Sequence, residues 1–249
     1  MKLFVSYIAF FLATFIFINN INAQINKGSI NFQAGFPTSD YKKNYNVVPT
    51  GLLFNIAHQL KNQPPFSFGG EIGIMQVSGA DKYYTGFYHN EFNTFLVASW
   101  NHIVTLGAFF KVNLFPENPF FDVDVNITAG TNIFITTTSI SRDAGWDLFT
   151  NTVKTKYYYS DNHASCALRV GGGVGIDIPF GRQKNTSVLI KTSYLYGSHA
   201  KYYAHPSIIN TQIILAPKAS GTSMVLAETG LQFGLFNKNK NHKSTGIVH

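Results

Sequence analysis

Charged side chains are scarce in this 249-residue chain, at 12% of its residues. Eight of them fall in segments where polar and apolar residues alternate, which makes them the first candidates for a site. Carboxyl and ammonium groups held close together can act as general acids and bases, or they can line a gated polar path. They can also form a structural network of ion pairs, and this is the interpretation that we favour. The eight are Glu71, Lys111, Asp122, Asp124, Arg169, Asp177, Lys191 and Glu228.

Two other kinds of chemistry have weaker support. A nucleophilic serine needs a base within hydrogen-bond reach and a third group that orients the base. Ser198, His199 and His205 offer the first two, and nothing specifies the third. The histidines cluster towards one end of the alternating segments but lack the spacing of a metal site. We therefore predict no catalytic residue, no metal and no cofactor. The clustered histidines are His89, His102, His163, His199 and His205.

A glycine-rich run at 171–175 has the composition of a phosphate-binding loop. It lies inside an alternating segment and opens no helix, so the context that such a loop requires is missing. We interpret these glycines as positions where a strand makes room for bulky neighbours.

The elements that position these residues are β-strands. From 121 to 135 apolar and polar residues alternate almost without a break, which predicts a strand with one apolar and one polar face. Such a run can cross a bilayer, which takes about 9–11 tilted residues. No charged residue falls on an apolar face, as expected if those faces contact hydrocarbon and the polar faces line a lumen. The pattern recurs at 29–36, 50–60, 66–77, 94–115, 121–135, 164–180, 188–198 and 224–236.

Short and long connections alternate between these eight segments. Outer-membrane barrels pair short periplasmic turns with long extracellular loops. The order therefore predicts one all-β domain, a transmembrane antiparallel up-and-down β-barrel of eight strands with both termini in the periplasm. Ten strands result if 208–215 also pairs. The short connections are at 61–65, 116–119 and 181–186, and the long ones are at 37–48, 79–93, 139–163 and 199–223.

The two ends of the chain differ from the barrel at 24–236. Residues 1–23 read as a cleaved signal peptide, with Lys2 before an apolar stretch and Ala23 at the cleavage point. A membrane anchor is the alternative. Residues 237–249 form a basic tail, which we expect to be disordered in the periplasm.

The net charge of +7 does not indicate nucleic-acid binding, because the basic residues are not clustered among exposed aromatic residues. We place most of this charge at the periplasmic rim and in the tail. The single cysteine, Cys166, excludes an internal disulfide and is interpreted as a small apolar residue on an outward face.

Aromatic residues gather at the edge with the long connections. A girdle at the level of the lipid headgroups explains part of this enrichment. Tyrosine is also common in binding surfaces, so a partner surface is the alternative. The fourth and fifth strands exceed the length that a bilayer requires, which suggests a projecting sheet whose edge is open to β-augmentation. The candidate partner residues are Tyr83, Tyr84, Tyr157, Tyr158, Tyr159, Tyr202 and Tyr203.

Together these patterns resemble the small eight-stranded outer-membrane β-barrels of Gram-negative bacteria, the OmpA/OmpX-like and Bacteroidota outer membrane protein β-barrel domain proteins. The last segment resembles the C-terminal assembly signal of that class, although here a tail follows it. The residues that carry this likeness are Gly230, Phe233, Leu235 and Phe236.

This resemblance implies a non-enzymatic, closed, porin-like cell-envelope barrel that displays extracellular loops for envelope integrity, adhesion or surface interaction. The alternatives are an accessory subunit of a larger outer-membrane secretion or assembly complex, and a narrow pore. The implied partners are outer-membrane lipid and lipopolysaccharide, the barrel assembly machinery and a larger outer-membrane protein complex.

Overall fold

The computed structural model describes most of the predicted barrel. The predicted signal peptide and the basic tail lie outside the described residues. Within the described residues, no helix is both long enough and apolar enough to span a membrane. The described residues are 25–44, 47–60, 65–88, 91–116, 118–147, 152–180, 186–203, 207–209, 212–214 and 217–235.

The described chain is almost entirely β-structure, with one short helix. The elements are β1 Ile25–Pro37, α1 Ser39–Asn44, β2 Thr50–Gln59, β3 Phe66–Tyr88, β4 Glu91–Asn113, β5 Asp122–Asp147, β6 Thr152–Phe180, β7 Thr186–Gly197, β8 His199–Tyr203, β9 Ser207–Ile209, β10 Gln212–Ile214, β11 Pro217–Gly221 and β12 Met224–Gly234.

Eight of these strands close into a ring, which confirms the predicted fold class. Strands β1 to β7 pair antiparallel in chain order, and β12 follows β7. β12 then returns to β1, from Lys27 opposite Gly234 to Pro37 opposite Met224. Because every barrel strand has two neighbours, the backbone polar groups at the level of a bilayer are satisfied within the sheet.

The two faces of the ring have the polarity of a barrel in lipid. Apolar side chains point outward, and Phe32, Ile72 and Leu168 remain 50%, 54% and 68% exposed. Polar side chains point inward, where Asn31 and Asn132 are almost completely buried. Cys166 lies exposed on the outer face, as its parity predicts. This arrangement reverses the distribution expected of a soluble protein.

The prediction that 79–93 and 139–163 are connections between strands is wrong. β3 and β4 stay paired up to Tyr88 and Glu91, and β5 and β6 stay paired up to Asp147 and Thr152. β2 pairs with β3 only as far as Gln76. The four long strands therefore extend beyond the ring as a projecting sheet, which we define as residues 78–88, 91–101, 136–147 and 152–163.

The ten-strand alternative is also wrong. The segment 208–215 contributes to β9 and β10, which form a small antiparallel hairpin outside the ring. This hairpin joins the sheet through one parallel pair, Gln212 with Phe87. β8 and β11 form a separate two-stranded sheet.

Apolar side chains fill the barrel mouth below the projecting sheet. Tyr41 of α1 points inward and is fully buried. Its ring lies 6.0 Å from Phe134 and 5.8 Å from Tyr202, both in edge-to-face geometry. Met75 and Met224 complete the same cluster. Tyr202 is only 1% exposed, so its assignment to a partner surface is wrong: the strand pair β8–β11 directs its side chain into the mouth.

Candidate functional site

The Glu71–Arg169 ion pair crosses the barrel interior between two strands that are not neighbours. Strand pairing places Glu71, Gly107, Gly130 and Arg169 on one row across β3, β4, β5 and β6. Arg169 Nη2 donates to Glu71 Oε1, and both side chains are at least 95% buried. Thr128 Oγ1 donates to the same Glu71 oxygen at 2.7 Å. Because Gly107 has no side chain, the long side chains of Glu71 and Arg169 can meet above it.

A second group of ion pairs lies nearer to the short-turn end. Lys111 Nζ is 3.0 Å from Asp124 Oδ2 and 2.8 Å from Asp177 Oδ2. Lys191 Nζ lies 3.6 Å from Oε1 of Glu228, its cross-strand partner on the neighbouring strand β12. Seven of the eight predicted charged residues are therefore placed in ion pairs inside the barrel.

Asp122, unlike the other seven predicted residues, is not placed in an interior ion pair. Lys27 is an interior charged residue that was not among the eight predicted ones. Asp122 lies at the start of β5 and accepts a hydrogen bond from the Phe115 backbone N–H at 3.1 Å. Lys27 lines the interior together with Lys111 and Lys191, whereas the charge that lies outside the eight candidates was expected mostly at the periplasmic rim and in the tail. The available signal was parity, because Lys27 lies two residues before Ser29 on the polar face of β1. Among the described residues the interior thus holds four cations against four carboxylates, with Asp122 at its short-turn edge.

An interior cavity of about 40 Å³ lies among these charges. It is lined by Lys27, Lys111 and Lys191, and by Asn55 and Asn126, whose side-chain oxygens are buried with no protein hydrogen-bond partner among the described residues. A volume of this size holds about one water, which would satisfy those oxygens. The described interior is thus a small cavity bordered by paired charges and by polar side chains.

Replacing Gly107 with alanine should destabilise the barrel by about 1–3 kcal/mol. An added Cβ would lie 2.7 Å from Arg169 Nη2 and 2.8 Å from Glu71 Oε1, so the buried ion pair would have to shift. The measurement is the urea midpoint of unfolding in detergent micelles. Gly172→Ala is the control, because its Cβ would meet no atom closer than 3.3 Å. Equal midpoints for the two variants would contradict this role of Gly107.

The histidine and serine candidates do not converge in the described residues. No group of three metal-ligating side chains is found in that part of the chain. His102 and His163 are partly buried and His199 is exposed, while His89 and His205 lie outside the described residues. Ser198 Oγ accepts a hydrogen bond from the Leu168 backbone N–H at 2.9 Å, so it ties β6 to the chain after β7.

The predicted tyrosine surface divides into exposed and buried members. Tyr83 is 68% exposed on the outer face of the projecting sheet. Tyr84 and Tyr159 lie on the inner face, where they pack against a buried cluster of Phe95, Val97 and Ile140. The side chains of Tyr157, Tyr158 and Tyr203 lie outside the described residues.

The segment that resembles an assembly signal lies at the closing seam of the ring. Gly230 pairs with Asn31 of β1, and a Cβ on Gly230 would lie 2.2 Å from the Ile30 carbonyl oxygen. Phe233 pairs with Gly28, where Phe233 and Leu235 occupy the space left by the missing side chain. Phe236 lies outside the described residues.

The closed ring of eight strands, the apolar exterior and the charged interior define a small transmembrane-type β-barrel. No protein-family model matches the chain, and no curated protein matches it. The solved structures that are similar to it at low identity include the following three, which their names describe as an attachment protein and two outer-membrane proteins.

The first is Ail, the attachment invasion locus protein of Yersinia pestis, in complex with the heparin analogue sucrose octasulfate. It shares 11% identity at a TM-score of 0.44, covering 85% of this chain and 99% of that one. The second is a major outer membrane protein from Thermus thermophilus, with 15% identity, a TM-score of 0.45 and coverage of 84% and 99%. The third is the outer membrane protease OmpT from Escherichia coli, with 9% identity, a TM-score of 0.33 and coverage of 87% and 98%.

Proposed function

We propose that this protein is a non-enzymatic outer-membrane barrel whose task is to hold the projecting sheet outside the cell for contact with other surfaces. The observation that carries this proposal is strand length. β4 has 23 residues and β6 has 29, whereas about 9–11 residues cross a bilayer. Strand length beyond the membrane serves no purpose in anchoring, so it has a role outside.

The interior supports a structural barrel rather than a pore. The Tyr41 cluster fills the mouth, and ion pairs occupy the lumen below it. We expect no conductance in planar bilayers and no swelling of liposomes that contain the protein.

We also expect lipid A acylation to be the same in cells with and without the gene, because the described interior holds no aligned nucleophile and base.

The orientation that we propose places both termini in the periplasm, opposite the projecting sheet. The test is labelling of single cysteines in a Cys166→Ser background with a membrane-impermeant maleimide. Thr85→Cys lies near the end of the projecting sheet and should react in intact cells. Phe120→Cys is the matched control, since Phe120 is 77% exposed at a short turn at the opposite end. It should react only after the outer membrane is permeabilised.

The reverse labelling pattern would place the projecting sheet in the periplasm and would overturn the proposal.

Extraction of the protein from the same cells tests the alternative of an accessory subunit. A stoichiometric larger partner after extraction in mild detergent would support that alternative, whereas a barrel recovered alone favours independent display. Delivery by the barrel assembly machinery, through the β12 segment, is also part of the proposal.

A further inference from the structure

The β3–β4 hairpin carries exposed aromatic rings at its outer end. On its outer face Phe87 pairs with Phe92, Thr85 with Thr94, and Tyr83 with Leu96. We name Phe87 and Phe92 the apex pair. Their rings are 4.9 Å apart, and the two side chains are 43% and 59% exposed. Large apolar side chains therefore face outward next to the last described pair of this hairpin, Tyr88 with Glu91.

Contacts on the inner face of the hairpin and in the adjacent row fix the position of the apex pair. On its inner face Tyr88 packs edge-to-face against the buried Phe95, with the ring centroids 5.9 Å apart. On the outer face the Thr85 and Thr94 hydroxyls share a hydrogen bond of 2.9 Å, which joins the two arms one row below the apex pair. Because the inner face is already packed, the two Phe rings cannot be buried by turning inward.

The apex pair stands well above the membrane that anchors the barrel. Trp100 lies on the same face of β4 at the base of the projecting sheet, where an aromatic residue suits the level of the headgroups. Eight residues separate it from Phe92, which corresponds to about 26 Å along the strand. The barrel's own hydrocarbon therefore does not cover the apex pair.

The chemistry of this face fits lipid better than a protein pocket. None of the six positions in its top three rows is charged, whereas Asp81 follows in the next row towards the barrel and Phe87 also pairs with Gln212 of β10. The nearby Glu91 is paired with Arg142 at 3.3 Å. Protein interfaces combine apolar anchors with a polar rim and directional hydrogen bonds, whereas a bilayer interface accepts convex aromatic groups without them. The apex pair is also too small for a stable contact between two copies, which needs about 800 Å² from each.

At the base of the projecting sheet, level with Trp100, the outer face of β5 and β6 carries the polar residues Thr137, Ser139, Ser160 and Asn162. We propose that the apex pair is a membrane-contact site, which inserts into the interfacial region of an apposed lipid bilayer. This inference rests on the proposed function, because it requires the projecting sheet to lie outside the cell.

The test uses the full-length barrel in nanodiscs mixed with phosphatidylcholine vesicles and separated by flotation. The unmodified protein should float with the vesicles, with little dependence on salt. The double variant F87S/F92S should lower the vesicle-bound fraction at least about tenfold. The matched control is T85S/T94S on the same face, which keeps both hydroxyls and should stay within about twofold of the unmodified protein. Heat-modifiable gel mobility verifies that each variant is folded.

A second readout distinguishes insertion from surface contact. F92W should be quenched by vesicles that contain brominated lipid, above the background that Trp100 and Trp146 give in the parent protein. Absence of flotation, equal flotation of F87S/F92S, or association of nanodiscs with one another without vesicles would each overturn the proposal. So would binding that requires anionic lipid. If Thr85→Cys reacts on intact cells while flotation fails, only the lipid inference is lost.

Discussion

Replacing Arg169 with methionine should lower the free energy of unfolding by about 3–5 kcal/mol. The substitution removes the guanidinium from Glu71, which is 4% exposed and lies inside the barrel. A buried carboxylate that loses its partner retains the cost of desolvation without the attraction that offset it. The measurement is equilibrium unfolding by urea in detergent micelles.

Two further variants separate the effect of the lost ion pair from the effect of lost packing. Glu71→Leu combined with Arg169→Met removes both charges and should recover most of the lost stability, because a buried ion pair contributes little relative to apolar residues of similar size. Lys43→Ala breaks the ion pair with Asp40 on α1, where both side chains are mostly exposed, and should leave the urea midpoint unchanged. If the double variant were no more stable than Arg169→Met, lost packing rather than lost pairing would explain the effect.

Replacing Lys111 with methionine should have an effect of similar size, about 3–5 kcal/mol. Its ammonium serves two carboxylates, Asp124 and Asp177, which are 1% and 5% exposed. Without it, the two carboxylates repel each other in a region of low dielectric. The measurement is the fraction of protein that refolds into micelles, read from heat-modifiable gel mobility.

Adding Asp177→Asn to Lys111→Met should restore part of the folded fraction, since one carboxylate then remains instead of two. Asp177→Asn alone leaves Lys111 paired with Asp124 and should be the mildest of the three variants. A folded fraction for Lys111→Met equal to that of the unmodified protein would mean that water already solvates these carboxylates.

Alternation was sufficient to predict the membrane-level barrel, because lipid imposes period two on every strand that crosses it. Ile72 and Leu168 are outward residues that this rule identifies. Outside the bilayer, nothing requires apolar and polar residues to alternate along a strand. Beyond Val77 the outer face carries threonine as well as tyrosine and phenylalanine, so the pattern fades while the backbone ladder of β3 and β4 continues. The length of the projecting sheet was therefore not readable from the sequence.

The charged residues show a second limit. Parity identifies Glu71 and Arg169 as inward, but it does not reveal that they meet, because they belong to strands separated by two others. Their contact depends on the pairing register, which brings Gly107 and Gly130 between them. Tyr202 illustrates the same limit in the mouth, because an aromatic residue in a long connection has no strand parity that assigns it to one face.

The pairing of β1 with β12 has a consequence for biogenesis. It unites residues from the two extremes of the barrel sequence, such as Lys27 and Gly234. A nascent polypeptide that still lacks its final strand therefore exposes two unpaired edges, which are templates for aggregation. Maturation must wait until synthesis is complete, and a premature stop codon shortly before Met224 would yield an open sheet destined for proteolysis.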